Sequence, residues 1–184
     1  MLTDDELRAV YRTARAGTGH FERITALLVL TGQRPREIAS LQWSWIKGDT
    51  IEFPAAIAKN GQAWIIPIGP EAQAILSEAP RFSGPYVFPA LRQSTPTTTV
   101  FNGWGKPKAR FDQACGVTNW QLRDLRRTFA TNLQRLGVRL EVTEAHLNHV
   151  SGSRRGVVGI YQRYQWLDEM REAALAFERR ISRP

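Results

Sequence analysis

Two consecutive hairpin signals in the first half of the chain constrain the fold most. The stretch "WIKGDTIEFPA" places Gly48-Asp49 between two short apolar segments, and "AKNGQAWIIPI" places Asn60-Gly61 before an apolar segment over Trp64–Ile68. Glycine-containing pairs of this kind favour tight turns between antiparallel strands. The sequence therefore predicts a small three-stranded antiparallel sheet at this point of the chain.

Helical patterns flank the predicted sheet on both sides. Thr3 and Glu6 have the spacing of a capping box, an apolar helix over Phe21–Thr31 stops at Gly32, and a further helix begins near Pro35. After the sheet, helical patterns cover "GPEAQAIL", Lys108–Ala114, Gln121–Leu136, Val142–Asn148 and Leu167–Ile181. The stretch "QSTPTTT" is typical of a polar loop. We predict one mainly α-helical domain over residues 1–184 with a small three-stranded antiparallel sheet, which is an α+β fold.

The last predicted helix carries a single apolar stripe. Its members recur every three or four positions and are Leu167, Met170, Ala174, Phe177 and Ile181. Such a stripe can pack on the helix's own domain or dock between protomers, and the pattern favours neither.

The charge of the chain is concentrated in its second half. The 184 residues carry a net charge of +8, but residues 1–80 hold 8 Lys and Arg against 9 Asp and Glu, whereas residues 81–184 hold 17 against 8. Arginine suits bidentate recognition of phosphate. The excess therefore indicates either a nucleic-acid partner or a solubilising surface. Cys115 is the single cysteine, so no intramolecular disulfide can form and a reducing compartment fits.

The stretch "WQLRDLRRTFATNLQRLG" concentrates arginines beside an apolar face. On a helical wheel that face consists of Leu122, Leu125, Phe129, Leu133 and Leu136. Arg127 points away from it towards solvent. Arg126 lies at its edge, where a partly desolvated guanidinium needs either an internal carboxylate or a bound anion. Arg123 lies near the helix start, where its charge opposes the helix dipole unless an anion is close.

Three further stretches carry residue types suited to phosphate chemistry. "TGQRPREIASL" contains Arg34 with Glu37 one turn later, "IAKNGQAW" contains Lys59, and "HLNHVSGSRRGVVGIYQRY" contains His149 and Tyr161. Arginines can hold the oxygens of a phosphate, a lysine can protonate a departing alkoxide, and a tyrosine can attack phosphorus.

A metal site is not expected from these residues. His146 and His149 lie one helical turn apart, as zinc ligands can, but the chain has one cysteine and no third histidine near them. A structural role is the better interpretation of His146.

In order and context these motifs resemble the catalytic domain of the tyrosine recombinases, the phage integrase family, and most closely the integrases of prophages and genomic islands. "RDLRRTFAT" is similar to the family's "HDLRRT" box, and "LNH" and "GIYQRY" are similar to its last two motifs. The resemblance implies two catalytic arginines, an acidic partner, a hairpin lysine, a histidine and a tyrosine nucleophile, which are Arg34, Arg126, Glu37, Lys59, His149 and Tyr161.

The resemblance also implies a reaction and partners. A site-specific recombinase of this family cleaves and rejoins double-stranded DNA at attachment sites through a 3′-phosphotyrosine, without a metal, ATP or another cofactor. It works as a homotetramer on two duplexes, with a monomer as the alternative when DNA is absent and with accessory DNA-bending proteins as further partners. A cytoplasmic, nucleoid-associated location and no membrane partner follow from the same resemblance.

The sequence departs from the family pattern at three points. Arg123 occupies a position where the family has histidine, and the interval between His149 and Tyr161 is long. The family's N-terminal core-binding domain has no counterpart here, so we expect a catalytic domain alone. Tyr164 is the second candidate for the nucleophile. A catalytically impaired DNA-binding remnant, a type IB topoisomerase-like nicking-closing enzyme and a non-enzymatic helical DNA binder remain as alternatives.

Overall fold

The computed structural model describes residues 1–58, 60–92, 95–149 and 166–182, with the main chain alone at 92 and 95–98. In these ranges the helices are α1 (Asp4–Ala16), α2 (His20–Thr31), α3 (Pro35–Ala39), α4 (Pro70–Ser77), α5 (Gly105–Cys115), α6 (Leu122–Arg135), α7 (Leu140–His146) and α8 (Leu167–Ile181). The strands are β1 (Ile46–Lys47), β2 (Thr50–Phe53), β3 (Trp64–Pro67), β4 (Pro89–Arg92) and β5 (Thr95–Val100). The mainly α-helical fold with a small sheet is confirmed.

Helix α2 lies at the centre of the hydrophobic core. All of its residues from Ile24 to Thr31 are buried, and a helix segment of that kind is stable only when other elements surround it. Ile24, Leu27 and Leu28 are fully buried between α1, α4 and α6. The helix ends at Gly32, whose φ of 63° is left-handed, and the ring of Phe129 on α6 lies where a β-carbon would be. Glycine is therefore required there on two grounds.

The strands β1, β2 and β3 form the predicted antiparallel sheet in that order. Ile51 pairs with Ile66 and Phe53 pairs with Trp64, so the apolar side chains of β2 and β3 share one face on the core. This register places the chain segment between β2 and β3 at the end of the sheet where Phe53 and Trp64 meet.

The N-terminal helix begins as the sequence predicts. The Thr3 hydroxyl accepts a hydrogen bond from the Glu6 amide at 3.2 Å, and the Glu6 carboxylate accepts one from the Thr3 amide at 2.8 Å. This reciprocal pair satisfies two amides that the first turn of a helix leaves unpaired.

Helix α8 packs on its own domain. Its predicted stripe faces the core, and the ring of Phe177 contacts that of Phe129 edge-on at 4.9 Å. Two ion pairs hold its polar side, Arg171 to Asp49 at 2.7 Å and Arg180 to Asp4 at 2.6 Å. Of the two arrangements that the stripe permits, the structure has the intramolecular one.

Two expectations about the middle of the chain are wrong. Residues predicted as a polar loop include all of β5 but its last residue, Val100, and β5 pairs with β4 in a two-stranded sheet. The three consecutive threonines of this segment are β-branched, and their preference for extended backbone outweighs their polarity. Helix α5 begins at Gly105 rather than near Lys108, because Pro107 falls within its first turn, where proline is tolerated.

Candidate active site

Three segments of the chain meet at the C-terminal end of α2. They are the turn from Gly32 to Arg34 between α2 and α3, the segment from Leu147 to His149 that follows α7, and the first half of α6. Arg126 of α6 joins the other two, because its guanidinium donates hydrogen bonds to the carbonyl oxygen of Gly32 at 3.1 Å and to that of Leu147. A single side chain therefore fixes both turns.

The described partners of Arg126 do not include the internal carboxylate that the sequence allowed. The sequence predicts a partly buried cation, which is confirmed, but with a carboxylate or an anion as its partner. In the described part of the chain its partners are main-chain carbonyl oxygens instead, and they use two of its five N–H groups. Burial and the positive charge of Arg34 lower the pKa of Arg126 to about 10, against the opposing charge of Glu37. The cation is poorly neutralised, and a bound anion would relieve that cost.

Arg34 is held by Glu37, as expected. The Arg34 side chain donates to one carboxylate oxygen of Glu37 at 2.6 Å, and its main-chain amide donates to the other at 2.8 Å. The carboxylate is 3% exposed while the guanidinium is about one-third exposed. Glu37 thus anchors the inner end of the pair, and the outer face of Arg34 remains open.

His149 lies at the rim of this cluster. It is exposed, and its amide donates to the carbonyl oxygen of Glu144 at 2.9 Å, which closes the end of α7. Partial burial and the positive charges of Arg126 and Arg34 lower the pKa of His149. The imidazole is therefore neutral near pH 7, and either ring nitrogen can carry the single proton that it donates.

The hairpin between β2 and β3 is tied to the same place. The side-chain amides of Asn60 and Asn148 exchange hydrogen bonds of 2.9 and 3.3 Å. Asn148 directly precedes His149 and has a φ of 48°, a left-handed conformation that asparagine tolerates better than most residues. This pair brings the tip of the hairpin against the end of α7.

Two of the predicted site residues, Lys59 and Tyr161, lie outside the described residues, as does Tyr164. Lys59 is the sequence neighbour of Asn60. Of the remaining members of the set, Arg34, Arg126 and His149 lie in the three segments that meet here, and Glu37 lies in α3, which directly follows the first of them.

Arg123 lies one turn before Arg126 on α6. Its side chain is exposed and makes no hydrogen bond or ion pair with the residues that the structure describes. The neighbouring Asp124 is used elsewhere, since it accepts from the Gln121 amide at 2.9 Å and lies 3.8 Å from Arg127. Arg127 is largely exposed, as the helical wheel predicts.

Sequence reasoning missed the side chains that hold these turns together. Gln33 is 1% exposed and bridges the turn after α2 to the end of α7, and the Asn60–Asn148 pair bridges the hairpin to the same end. A polar residue in a turn carries no periodic signal, so only the position of Gln33 next to Arg34 pointed to it. His146 is buried and structural, as interpreted from the sequence.

The described residues contain no group of three or more His, Cys, Asp or Glu side chains that could hold a metal ion. In the same residues no helix combines the length and the apolar content needed to cross a bilayer. The chemistry that this cluster can perform is that of fixed cations. Two guanidinium groups and an imidazole lie close enough to influence one another's charge, with the carboxylate of Glu37 buried against Arg34. This arrangement suits an anion with several oxygens.

Comparison with known proteins shows the family of the chain. The family model described as "Phage integrase family" matches residues 1–165. The prophage integrase IntZ of Escherichia coli (strain K12) is 26% identical over 172 residues, which cover 90% of this chain and 41% of that protein. The chain thus spans less than half the length of this curated relative.

Two solved structures share the fold. The XerA recombinase superposes with a TM-score of 0.66 at 20% identity, over 100% of this chain and 65% of that one. The XerH site-specific recombinase, solved bound to its difH substrate before cleavage, superposes with a TM-score of 0.63 at 16% identity, over 82% of this chain and 47% of that one. With a family model that matches most of its residues, this chain belongs to the phage integrase family.

Proposed function

We propose that this chain is the strand-cleaving and strand-joining domain of a site-specific DNA recombinase. The observation that carries the proposal is the cluster of Arg34, Arg126 and His149 in the three segments that meet beside α2. Its charge is only partly balanced by Glu37, and its open side suits the oxygens of a phosphodiester. The XerH structure, in which that recombinase is bound to its difH substrate, supports DNA as the partner.

The proposed reaction has two steps that mirror each other. The Tyr161 oxygen attacks phosphorus, the bond from phosphorus to the 5′ oxygen breaks, and a 3′-phosphotyrosine and a 5′-hydroxyl form. The tyrosine proton passes to water or a phosphate oxygen, and Lys59 gives a proton to the departing 5′ oxygen. A 5′-hydroxyl of another duplex then attacks the phosphotyrosine, so the strands are exchanged and Tyr161 is released.

The described residues have distinct parts in this reaction. Arg34 and Arg126 hold the non-bridging oxygens and stabilise the charge that grows on them, and His149 donates a further hydrogen bond. Glu37 keeps Arg34 in place. The bond between Asn60 and Asn148 supports Lys59 as the general acid, because it holds the residue next to Lys59 against the residue next to His149. The partners are double-stranded attachment sites and further copies of the protein, four on two duplexes.

A covalent adduct tests the proposal directly. The chain would be mixed with a pool of nicked duplexes of randomised sequence, in which a short 5′-hydroxyl fragment is lost after cleavage. Protein–DNA complexes that survive denaturant would then be collected and sequenced. We expect an adduct with a recurring sequence at the cleavage position. DNA binding without an adduct would contradict the proposal and favour the impaired remnant.

Two neighbouring arginines provide a matched control. Arg126→Ala should slow adduct formation by about 10²–10³-fold, the usual loss when one fixed donor to a transition state is removed. Arg127→Ala removes the same charge one position along α6, from an exposed side chain, and should leave the rate within about threefold of the parent. Equal losses in both variants would mean that general charge, and not the cluster, drives cleavage. A thermal denaturation curve for each variant verifies that it is folded.

A further inference from the structure

The buried side chain of Gln33 makes three hydrogen bonds to three different elements. Its amide nitrogen donates to the carbonyl oxygens of Thr31 at 3.0 Å and His146 at 2.9 Å, and its amide oxygen accepts from the indole N–H of Trp64 at 3.3 Å. Both donors of the amide are used, and so is its acceptor. A residue 1% exposed thus ties the end of α2, the end of α7 and strand β3 to one point.

His146 adds a second link between the same two turns. Its Nε2 lies 3.0 Å from the carbonyl oxygen of Thr31, and because a carbonyl only accepts, this nitrogen carries the proton. The ring also packs against that of Phe129, with centroids 5.1 Å apart. Gln33 therefore donates from the end of α2 to the end of α7, and His146 donates from α7 back to α2.

These bonds lie on the core side of the segments that Arg126 holds from the site side. Arg126 donates to Gly32, which lies between Thr31 and Gln33, and to Leu147, which directly follows His146. Arg34 follows Gln33 directly, and His149 lies three residues after His146. The bonds of Arg126 can keep the two turns associated without Gln33, but Gln33 is the side chain that links the residue directly before Arg34 to the end of α7.

We propose that Gln33 is a positioning residue for strand cleavage, which sets the placement of Arg34 relative to His149 and of the hairpin that follows β2 relative to both. This proposal rests on the proposed function. A misplacement of about 1 Å in such a cluster slows chemistry by up to about 10²-fold while the ligand still binds. A buried amide with a structural role alone would instead lower stability and leave the rate at saturating DNA unchanged.

The test uses the full chain and the duplex recovered in the adduct experiment. Gln33→Met keeps the volume and removes both donors and the acceptor. The matched control is Asn132→Leu, which also removes a buried amide: Asn132 donates to the Thr128 carbonyl at 2.9 Å and accepts from Arg180 at 3.1 Å, away from the two turns. Single-turnover cleavage over a range of DNA concentrations separates the rate at saturation from the half-saturating concentration.

We expect Gln33→Met to reduce the saturating rate by about 10–10²-fold with the half-saturating concentration within about twofold of the parent. Asn132→Leu should retain the parent's saturating rate even if its melting temperature falls as far as that of Gln33→Met. Equal rates for Gln33→Met and Asn132→Leu, with an adduct in the parent, would overturn the Gln33 proposal and leave the proposed function standing. A parent that forms no adduct would overturn both.

A second variant gives a signature that a structural role would not produce. In Gln33→Glu the carboxyl faces two carbonyl oxygens, so its charged form repels them, whereas its protonated form donates one hydrogen bond and restores part of the link. The charged or titratable groups on the surrounding elements are Arg126 from α6, Arg34 in the same turn, Glu37 from α3 and His146 from α7, and His146 is neutral above pH 5. The rate of this variant relative to the parent should rise as pH falls, and that of Gln33→Met should not. A flat ratio for both variants would contradict the proposal.

Discussion

Arg126 shows how the chemistry of a single residue depends on its partners. Two neutral carbonyl oxygens orient its guanidinium without cancelling its charge, whereas a carboxylate would have done both. The lowered pKa of Arg126, about 10, still leaves it protonated at neutral pH. The arginine is therefore fixed in direction and remains available to an anion, which is the condition for electrostatic stabilisation of a transition state.

Arg123 is expected to be a phosphate ligand. It is exposed one turn from Arg126 and has no partner among the described residues, so the two guanidinium groups could close on one anion. Arg123→Ala should slow cleavage by about 10²–10³-fold. Arg123→His should retain activity and acquire a pH dependence near the imidazole pKa, because arginine stays protonated whereas histidine titrates. If Arg123→Ala cleaves as fast as the parent in the single-turnover assay, Arg123 is only a surface charge.

His146 should make the fold sensitive to acid. Burial lowers its pKa to about 4, with a further contribution from Arg126 and an opposing one from its bond to Thr31, whereas the unfolded value is near 6.5. Between these two values the unfolded chain binds more protons than the folded one. The contribution of His146 to stability is therefore complete above pH 6.5 and is lost as pH falls towards 4.

Urea denaturation at pH 7 and pH 5 measures this effect. Between pH 7 and pH 5 the free energy of unfolding should fall by up to about 2 kcal/mol more in the parent than in His146→Gln. The reason is that each unit of pKa difference is worth about 1.4 kcal/mol. His20 and His149 also have lowered pKa values, but both are present in the two proteins and cancel in the comparison. Equal losses would mean that His146 is accessible to protons in the folded state.

At the scale of elements, α8 closes the fold by capping another helix. The Glu178 carboxylate is 5% exposed and accepts hydrogen bonds from the amides of Glu71 and Ala72 at 3.2 and 3.4 Å, in the first turn of α4. Burial raises the pKa of Glu178, and these two bonds oppose that rise. A side chain more than 100 residues away thus does what a local capping residue usually does.

Glu178→Ala should lower the free energy of unfolding by about 1–2 kcal/mol, because one buried and one partly buried amide lose their acceptor. Glu172→Ala is the control, since it makes the same change at an exposed position of α8. Chemical denaturation of both variants gives the difference between their free energies of unfolding. A Glu178→Ala protein as stable as the control would show that water replaces the carboxylate at the end of α4.

Particular elements show what the sequence could and could not predict. The sheet of β1, β2 and β3 was predictable because its turns carry glycine where φ is positive, at Gly48 and Gly61. Helices α1, α6 and α8 followed from periodicity and capping. Strand β5 was not predictable, because a polar segment with a proline has the local signals of a loop. Its pairing with β4 depends on the tertiary structure and leaves no local signal.

The candidate site was also predictable only in part from the sequence. Arg34, Glu37, Arg126 and His149 were identified because they stand in motifs. The structure places Arg34, Arg126 and His149 in three adjoining segments, with Glu37 beside them in α3. The partners of Arg126 and the bonds of Gln33 were missed, because carbonyl oxygens are present at every residue. Which of them a side chain meets depends on how α2, α6 and α7 pack.

For the whole molecule, the excess of positive charge after residue 80 predicts binding dominated by phosphate contacts. If the chain engages about five phosphates, the slope of log affinity against log salt concentration should be roughly −4 to −5. Fluorescence anisotropy with a labelled duplex over a range of salt concentrations gives the slope. Tight binding that does not change with salt would contradict an interface built on phosphates.

The residue that becomes linked to DNA is the most direct test of the account. Arginines at positions 155, 163 and 171 mean that trypsin releases residues 156–163, "GVVGIYQR", and residues 164–171, "YQWLDEMR", as separate peptides. After the adduct is digested with trypsin and nuclease, mass spectrometry should find a nucleotide on the peptide that contains Tyr161, and Tyr161→Phe should give no adduct. A nucleotide on the peptide that contains Tyr164, or an adduct that persists in Tyr161→Phe, would contradict the account.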